Sequence, residues 1–166
     1  MEYILEEMKV SDWEQLKEIY LEGISTGLAT FQTEVPSWEN WDKGHLNICR
    51  LVARSSDKVL GWAALSPISS RCCYEGVTEV SIYISQEHKG QGIGTAIMNE
   101  LIKQSEKNGI WTLHSGIIRE NAASLTMHKK CGFREIGIRE KIAKMGNGEW
   151  HDVVLMERRS KVIGID

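Results

Sequence analysis

The run His88-Lys89-Gly90-Gln91-Gly92-Ile93-Gly94 sits between an alternating apolar segment and a helical apolar stripe. A glycine-rich turn in that position leaves backbone N–H groups unpaired and aimed outward, where the helix dipole also favours an anion. Such a turn can hold a pyrophosphate. Its Gly-x-Gly-x-Gly spacing lacks the third glycine position of a dinucleotide fingerprint, and no Gly-Lys-Ser/Thr follows as in a nucleoside-triphosphate loop. Taken alone, the glycines fit a phosphate cradle or an ordinary tight turn. Glu79, on the segment feeding the loop, is either a general base or a strand carboxylate paired with a cation. His128 can exchange a proton near neutral pH, or serve as a packed or capping histidine. Arg71 carries a planar fork that grips carboxylates through paired hydrogen bonds; the alternative is a solvated surface arginine.

Metal chemistry finds no support. His45, His88 and His114 lack partners at ligand spacing and read as structural or exposed. Cys49, Cys72, Cys73 and Cys131 contain no CxxC pair, and adjacent Cys72 and Cys73 make a poor disulfide framework. Reduced thiols and no structural zinc are expected.

The elements that must position these groups follow from periodicity. A short strand at Tyr3 to Leu5 precedes Ser11-Asp12-Trp13-Glu14, which reads as a capping box opening a helix with Leu16, Ile19, Tyr20 and Ile24 on its buried face. Ile48 to Ala53 and Val59 to Leu65 form an antiparallel hairpin around the Ser55 to Lys58 turn cluster. Val80, Ile82 and Ile84 alternate with Glu79, Ser81 and Tyr83, the period of a strand. After the glycines, Ile93, Ile97, Met98, Leu101 and Ile102 mark a helix that stops at Asn108-Gly109. Trp111 to Ile117 is the next strand, and Asn121 caps a second helix ending at Cys131-Gly132. Phe133 to Ile142 and Trp150 to Met156 pair around Asn147-Gly148.

With 166 residues and 42% hydrophobic content the chain can bury one core, so a single domain over 1–166 is expected. The net charge of -3, without long runs of either sign, offers no footprint for nucleic acid. The first residues lack a signal-peptide pattern, and no stretch approaches the ~20 apolar residues that span a bilayer. A cytoplasmic protein without membrane partners is expected.

Lys89-x-x-Gly92-x-Gly94, followed after one helix and one strand by Asn121-x-x-Ser124-x-x-x-His128-x-x-x-Gly132-Phe133, resembles the GNAT N-acetyltransferase superfamily. In that superfamily the first motif, usually Arg/Gln-x-x-Gly-x-Gly/Ala, cradles the coenzyme A pyrophosphate, and the second helix contacts pantetheine. Lys89 departs from the usual residue, while the glycine backbone is intact. A closer resemblance, over nearly the whole chain, is to the phosphinothricin and methionine sulfoximine acetyltransferase branch. It rests on Thr30-Phe31-Gln32-Thr33-Glu34, Arg71 through Tyr74, Thr78 through Ile84, and Gly148-Glu149-Trp150-His151-Asp152-Val153.

The resemblance implies an α/β GNAT fold: a mixed, twisted, mostly antiparallel sheet flanked by helices, its central strands splayed near Ile82. It implies acetyl-CoA as cosubstrate, lying along Ile82, Tyr83 and Ile84, on the loop Lys89, Gly90, Gln91, Gly92, Ile93, Gly94 and Thr95, and against Asn121 and Ser124. Glu79 becomes the base, directly or through water, and an N–H freed by the splay the oxyanion donor. His128 stands where many members place a tyrosine acid, with Tyr83 as a second candidate. Phe31, Arg71, Cys72, Cys73 and Tyr74 become the walls of a pocket for a small amine, with Trp150 and Val153 closing it or sealing the last hairpin. Homodimers are common in the branch. Two rival readings stay open: acetylation of a protein N-terminus or other amine, and a catalytically silent coenzyme A-binding module.

Overall fold

A continuous apolar run cannot alternate core with solvent, so Val59 to Leu65 has to be covered on both faces. In the computed structural model, which describes residues 1–166, this run is the centre of β3 (Lys58–Pro67). The other strands are β1 (Ile4–Glu7), β2 (Leu51–Ser55), β4 (Val77–Ile84), β5 (Thr112–Ile118), β6 (Arg134–Lys144) and β7 (Trp150–Arg159). Four helices accompany them: α1 (Trp13–Thr26), α2 (Trp38–Gly44), α3 (Ile93–Lys107) and α4 (Ala122–Lys130). On one face Ala63 and Leu65 join Leu51 and Ala53 in a cluster with Ile97, Met98 and Leu101 of α3. On the other, Trp62 and Ala64 join Val52 against Leu16 and Ile19 of α1 and Trp41 of α2. The period of two in the strands meets the 3.6 period of the helices on both sides.

The sheet order is β1-β2-β3-β4-β5-β7-β6, antiparallel throughout except for β4 beside β5. That parallel pair decides the architecture. Its register covers only Val77 with Thr112, Thr78 with Leu113 and Glu79 with His114. Beyond them β4 continues to Ile84 and β5 to Ile118 with no pairing between the two, while β4 stays bonded to β3 through Ile84. The expected splay is therefore present and begins at Glu79 and His114. Alternate residues of β4 past this point direct their N–H and C=O groups toward the opening.

The expected capping box at Ser11 and Glu14 does not form. A short 3-10 turn at Val10–Asp12 precedes α1, and the Asp12 carboxylate accepts the Lys9 N–H at 2.8 Å and an Arg54 N–H at 2.8 Å. A nearly buried carboxylate that can also pair with an arginine displaces a solvent-facing serine from that role. The strand bounds shift by a few residues from the apolar runs: Ile48 and Cys49 lie outside β2, and β7 extends through Arg159.

Candidate active site

The splay opens into a cleft of about 470 Å³ lined by Glu79 to Tyr83 of β4 and His114 to Ile118 of β5. Its far wall comes from Asn121, Ser124 and His128 of the α4 region, and its lid from Leu28 to Gln32. The Asn121 side chain joins these two parts. Its Oδ1 accepts the Ser124 N–H at 3.2 Å as the expected cap, and its Nδ2 donates to the Leu28 carbonyl at 3.2 Å. β6 reaches the cleft because its pairing with β7 slips between Arg139 and Ala143, a bulge that turns Arg139, Ile142 and Ala143 inward. Asp152 fixes that bulge: Oδ1 accepts the Lys141 N–H at 2.9 Å and Oδ2 accepts from Arg119 at 3.0 Å. Those two donors, the backbone one first, hold its carboxyl below the usual range.

A second cavity, of about 580 Å³, lies between the 30–36 segment, α2 and β4. Tyr20, Trp41, Trp62 and Tyr83 supply aromatic walls, and Glu34 and Glu79 supply carboxylates. Glu79, Ser81 and Tyr83 border both cavities. Tyr83 stands edge-on to Tyr20 at 4.8 Å and stacks on Trp62 at 5.0 Å. Burial pushes its phenol well above the usual range, with Tyr20 adding to the rise, so it remains protonated. α1 can approach it because position 23 is glycine: a Cβ there would meet the Tyr83 ring at 2.9 Å.

His128 is 2% exposed and both of its nitrogens are engaged. Nδ1 lies 2.7 Å from the Ser124 carbonyl, which can only accept, so Nδ1 carries the proton. Nε2, 3.0 Å from Ser115 Oγ, is then the acceptor of the serine hydroxyl proton. Burial lowers its pKa, a shift the Ser124 bond only partly opposes. Both ring nitrogens of His128 are thus held by protein groups, the imidazole donating to the Ser124 carbonyl and accepting from Ser115. Burial also lowers His45, whose Nδ1 donates to the Trp41 carbonyl at 2.6 Å. For both groups the unfolded chain binds more protons than the folded one, so stability rises with pH. Their contribution is complete above about 6.5, the ordinary histidine value, and is lost as pH falls through the depressed folded values. The melting temperature should drop on acidification below that point, and His128→Gln should flatten part of the slope.

The glycine loop lies at the end of β4, with Lys89, Gly90, Gln91 and Gly92 exposed and Ile93 buried in the core. Only the main chain of Ile93 is available to a ligand. Gly90 and Gly92 have φ of +75° and +79°, and Gly92 is the N-cap of α3. Neither would meet an atom within 4 Å if it carried a Cβ, so open space lies over the helix N-terminus and its free N–H groups. That space, the first-turn donors and the open edge of β4 fit a pyrophosphate and its extended arm. Ile82, Tyr83, Asn121 and Ser124 line the cleft, whereas Ile84 borders neither cavity and packs, like Ile82, against the core.

Phe31 lines the cleft, 6.5 Å from the His151 ring. The rest of the expected acceptor wall does not. Arg71, Cys72, Cys73 and Tyr74 occupy an exposed 3-10 turn between β3 and β4 and border neither cavity. The Arg71 guanidinium lies over the Tyr74 ring at 5.7 Å, the placement of a solvated arginine. Trp150 is 56% exposed beside Lys144, while Val153 lines the cleft. His114, read from sequence as structural or exposed, faces Glu79 inside the cleft. Strand alternation sets His114 on the face opposite Leu113, but only the parallel register brings it to Glu79.

Residues 13–133 match the Acetyltransferase (GNAT) family. The chain belongs to that family. Among GNAT relatives, the phosphinothricin N-acetyltransferase of Alcaligenes faecalis is 31% identical over 155 residues, covering 89% of this chain and 77% of the relative. The L-methionine sulfoximine/L-methionine sulfone acetyltransferase of Pseudomonas aeruginosa is 26% identical over 103 residues, 62% of this chain and 59% of the relative. A GNAT phosphinothricin acetyltransferase from Sinorhizobium meliloti, solved in complex with acetyl-CoA, superposes with a TM-score of 0.85 at 27% identity, covering 96% of this chain and 89% of that one. A ribosomal-protein-alanine N-acetyltransferase from Brucella melitensis gives the same TM-score at 25% identity, covering 95% and 99%. The chain is thus a GNAT acetyltransferase with a seven-stranded mixed sheet of the family type.

Proposed function

We propose that the chain transfers the acetyl group of acetyl-CoA to the primary amine of a small amino-acid-like acceptor, of the phosphinothricin, methionine sulfoximine or methionine sulfone kind, by direct attack in a ternary complex. The observation that carries this reading is the position of Glu79 on the rim shared by the two cavities. The cleft between β4 and β5 receives the cosubstrate, with its pyrophosphate on the 89 to 95 loop, and the aromatic cavity receives the acceptor. Glu79 takes a proton from the acceptor ammonium, so that the nitrogen lone pair can attack the thioester carbonyl. A β4 N–H left unpaired by the splay stabilises the oxyanion. Of the two acids considered, Tyr83 holds a proton at neutral pH, whereas His128 has its only proton committed to the Ser124 carbonyl.

One domain over 1–166 is supported by the single sheet. A homodimer is supported by exposed Ile136 and Ile138 along the terminal strand β6. A cytoplasmic setting is supported by four free cysteines, two of them exposed. A thiol-release assay with acetyl-CoA tests the function against phosphinothricin, methionine sulfoximine, methionine sulfone, common amino acids, polyamines and a peptide with an N-terminal alanine. Turnover on the amino-acid-like amines is expected. Release with the peptide alone, or acetyl-CoA binding with no turnover on any amine, would overturn the reading.

A further inference from the structure

Glu79 and His114 are the last residues in register across β4 and β5 before the strands part, which puts both side chains on one face at the apex of the splay. His114 Nδ1 is enclosed by protein and has no hydrogen-bond partner. Glu79 Oε2 stands 3.7 Å from it, too far for a hydrogen bond and close enough for an ion pair once a proton lies between them. From the other flank β7 sets Glu157 opposite His114, and the Glu157 carboxylate is paired with Arg134 of β6. Arg139 borders the same cleft, and the flanking same-face positions on β5, Thr112 and Gly116, carry no charge. Glu79 borders both cavities, whereas His114 borders only the cosubstrate cleft.

We infer that Glu79 and His114 work as one proton-accepting pair, in which Glu79 takes the proton from the acceptor ammonium and His114 Nδ1 receives it from Glu79. This rests on the acetyl transfer proposed above. The ammonium N–H bond breaks and leaves its electron pair on nitrogen. The proton passes through the Glu79 carboxylate to Nδ1, giving an imidazolium beside the Glu79 carboxylate. The lone pair then forms the C–N bond, the C–S bond breaks with its electrons on sulfur, and the second amine proton neutralises the thiolate. His114 returns its proton to water, one for each acetyl group transferred. Glu79 is the group that meets the acceptor; His114 acts through it as a positioning residue that empties the base for the next cycle.

Two measurements test the pair. With methionine sulfone as acceptor, His114→Gln should lower kcat by about ten-fold or more and displace the acidic limb of the pH profile, while acetyl-CoA affinity stays within about two-fold. Glu79→Gln should cost less in the His114→Gln background than in the wild type, because two residues acting as one unit are not additive. An unchanged limb, or fully additive losses, would overturn the inference. Independently of turnover, the imidazole nitrogens of His114 can be titrated by NMR. Glu79→Gln should alter the His114 nitrogen signals, because it removes the carboxylate 3.7 Å from Nδ1. Superimposable titrations in the two proteins would sink the pair. If the wild type released no thiol with any amine, the proposed function would fall, and the NMR comparison would still decide whether the two groups are coupled.

Discussion

Glu79→Gln lowers turnover by about a hundred-fold or more and leaves acetyl-CoA binding unchanged, the loss expected when a positioned base is removed. Glutamine keeps the shape of the side chain and cannot accept the proton. The fold should not register the change, because the Glu79 side chain is 54% exposed and its contact with His114, at 3.7 Å, is longer than a hydrogen bond. The loop from Lys89 to Thr95, proposed for the pyrophosphate, lies beyond the far end of β4, and glutamine keeps the shape of the cleft wall at position 79. The pH profile separates a base from a bystander. In the wild type the rate climbs as the base deprotonates, but an acceptor amine losing its own proton produces a similar climb. Only the comparison assigns the group, since the limb due to the carboxylate must flatten or move in the variant while the limb due to the amine stays. Thiol-release kinetics with isothermal titration of acetyl-CoA gives both numbers. Near-normal turnover with an unshifted profile in Glu79→Gln would leave Glu79 as a structural carboxylate.

What the sequence carried about this site was local, and what it lacked was register. The alternation of Val80, Ile82 and Ile84 with Glu79, Ser81 and Tyr83, followed at once by glycines, sufficed to place a strand, a loop and a helix in line, and all three are there. Asn121 was legible as a cap because its hydrogen bond to Ser124 is made within one helical turn. His114 was not, because its partner is thirty-five positions away on a parallel neighbour, and no period within β5 encodes that pairing. The placement of Arg71 was equally illegible. Its chemistry suits an anion, but the residues around it form a 3-10 turn outside the sheet, and nothing in its type reports where that turn points. The surroundings of His128 were no more legible, because Ser115, which with the Ser124 carbonyl engages both ring nitrogens, reaches it from β5.

Gly92→Pro should weaken acetyl-CoA binding by about ten-fold or more, roughly 1.4 kcal/mol, while the protein stays folded. Proline fixes φ near about -65°, and Gly92 sits at +79° as the N-cap of α3. The loop must therefore leave its observed path. A Cβ at this position would meet nothing within 4 Å, so a β-carbon alone does not crowd the loop. The helix itself should survive, since Ile93, Ile97, Met98 and Leu101 hold it in the core at 1% exposure or less. What changes is the direction of the first-turn N–H groups, which is the property a pyrophosphate reads. Gly94 supplies the control. The sequence treats the two glycines alike, but Gly94 has no positive φ and its Cβ would lie 3.5 Å from Ile84 Cγ1, an ordinary contact. Gly94→Ala should accordingly keep most of the affinity that Gly92→Pro loses. Isothermal titration on both variants, with circular dichroism melting to confirm folding, makes the comparison. A folded Gly92→Pro protein with wild-type affinity would remove the loop from the cosubstrate site, and equal losses in the two variants would show that crowding, not backbone direction, governs binding there.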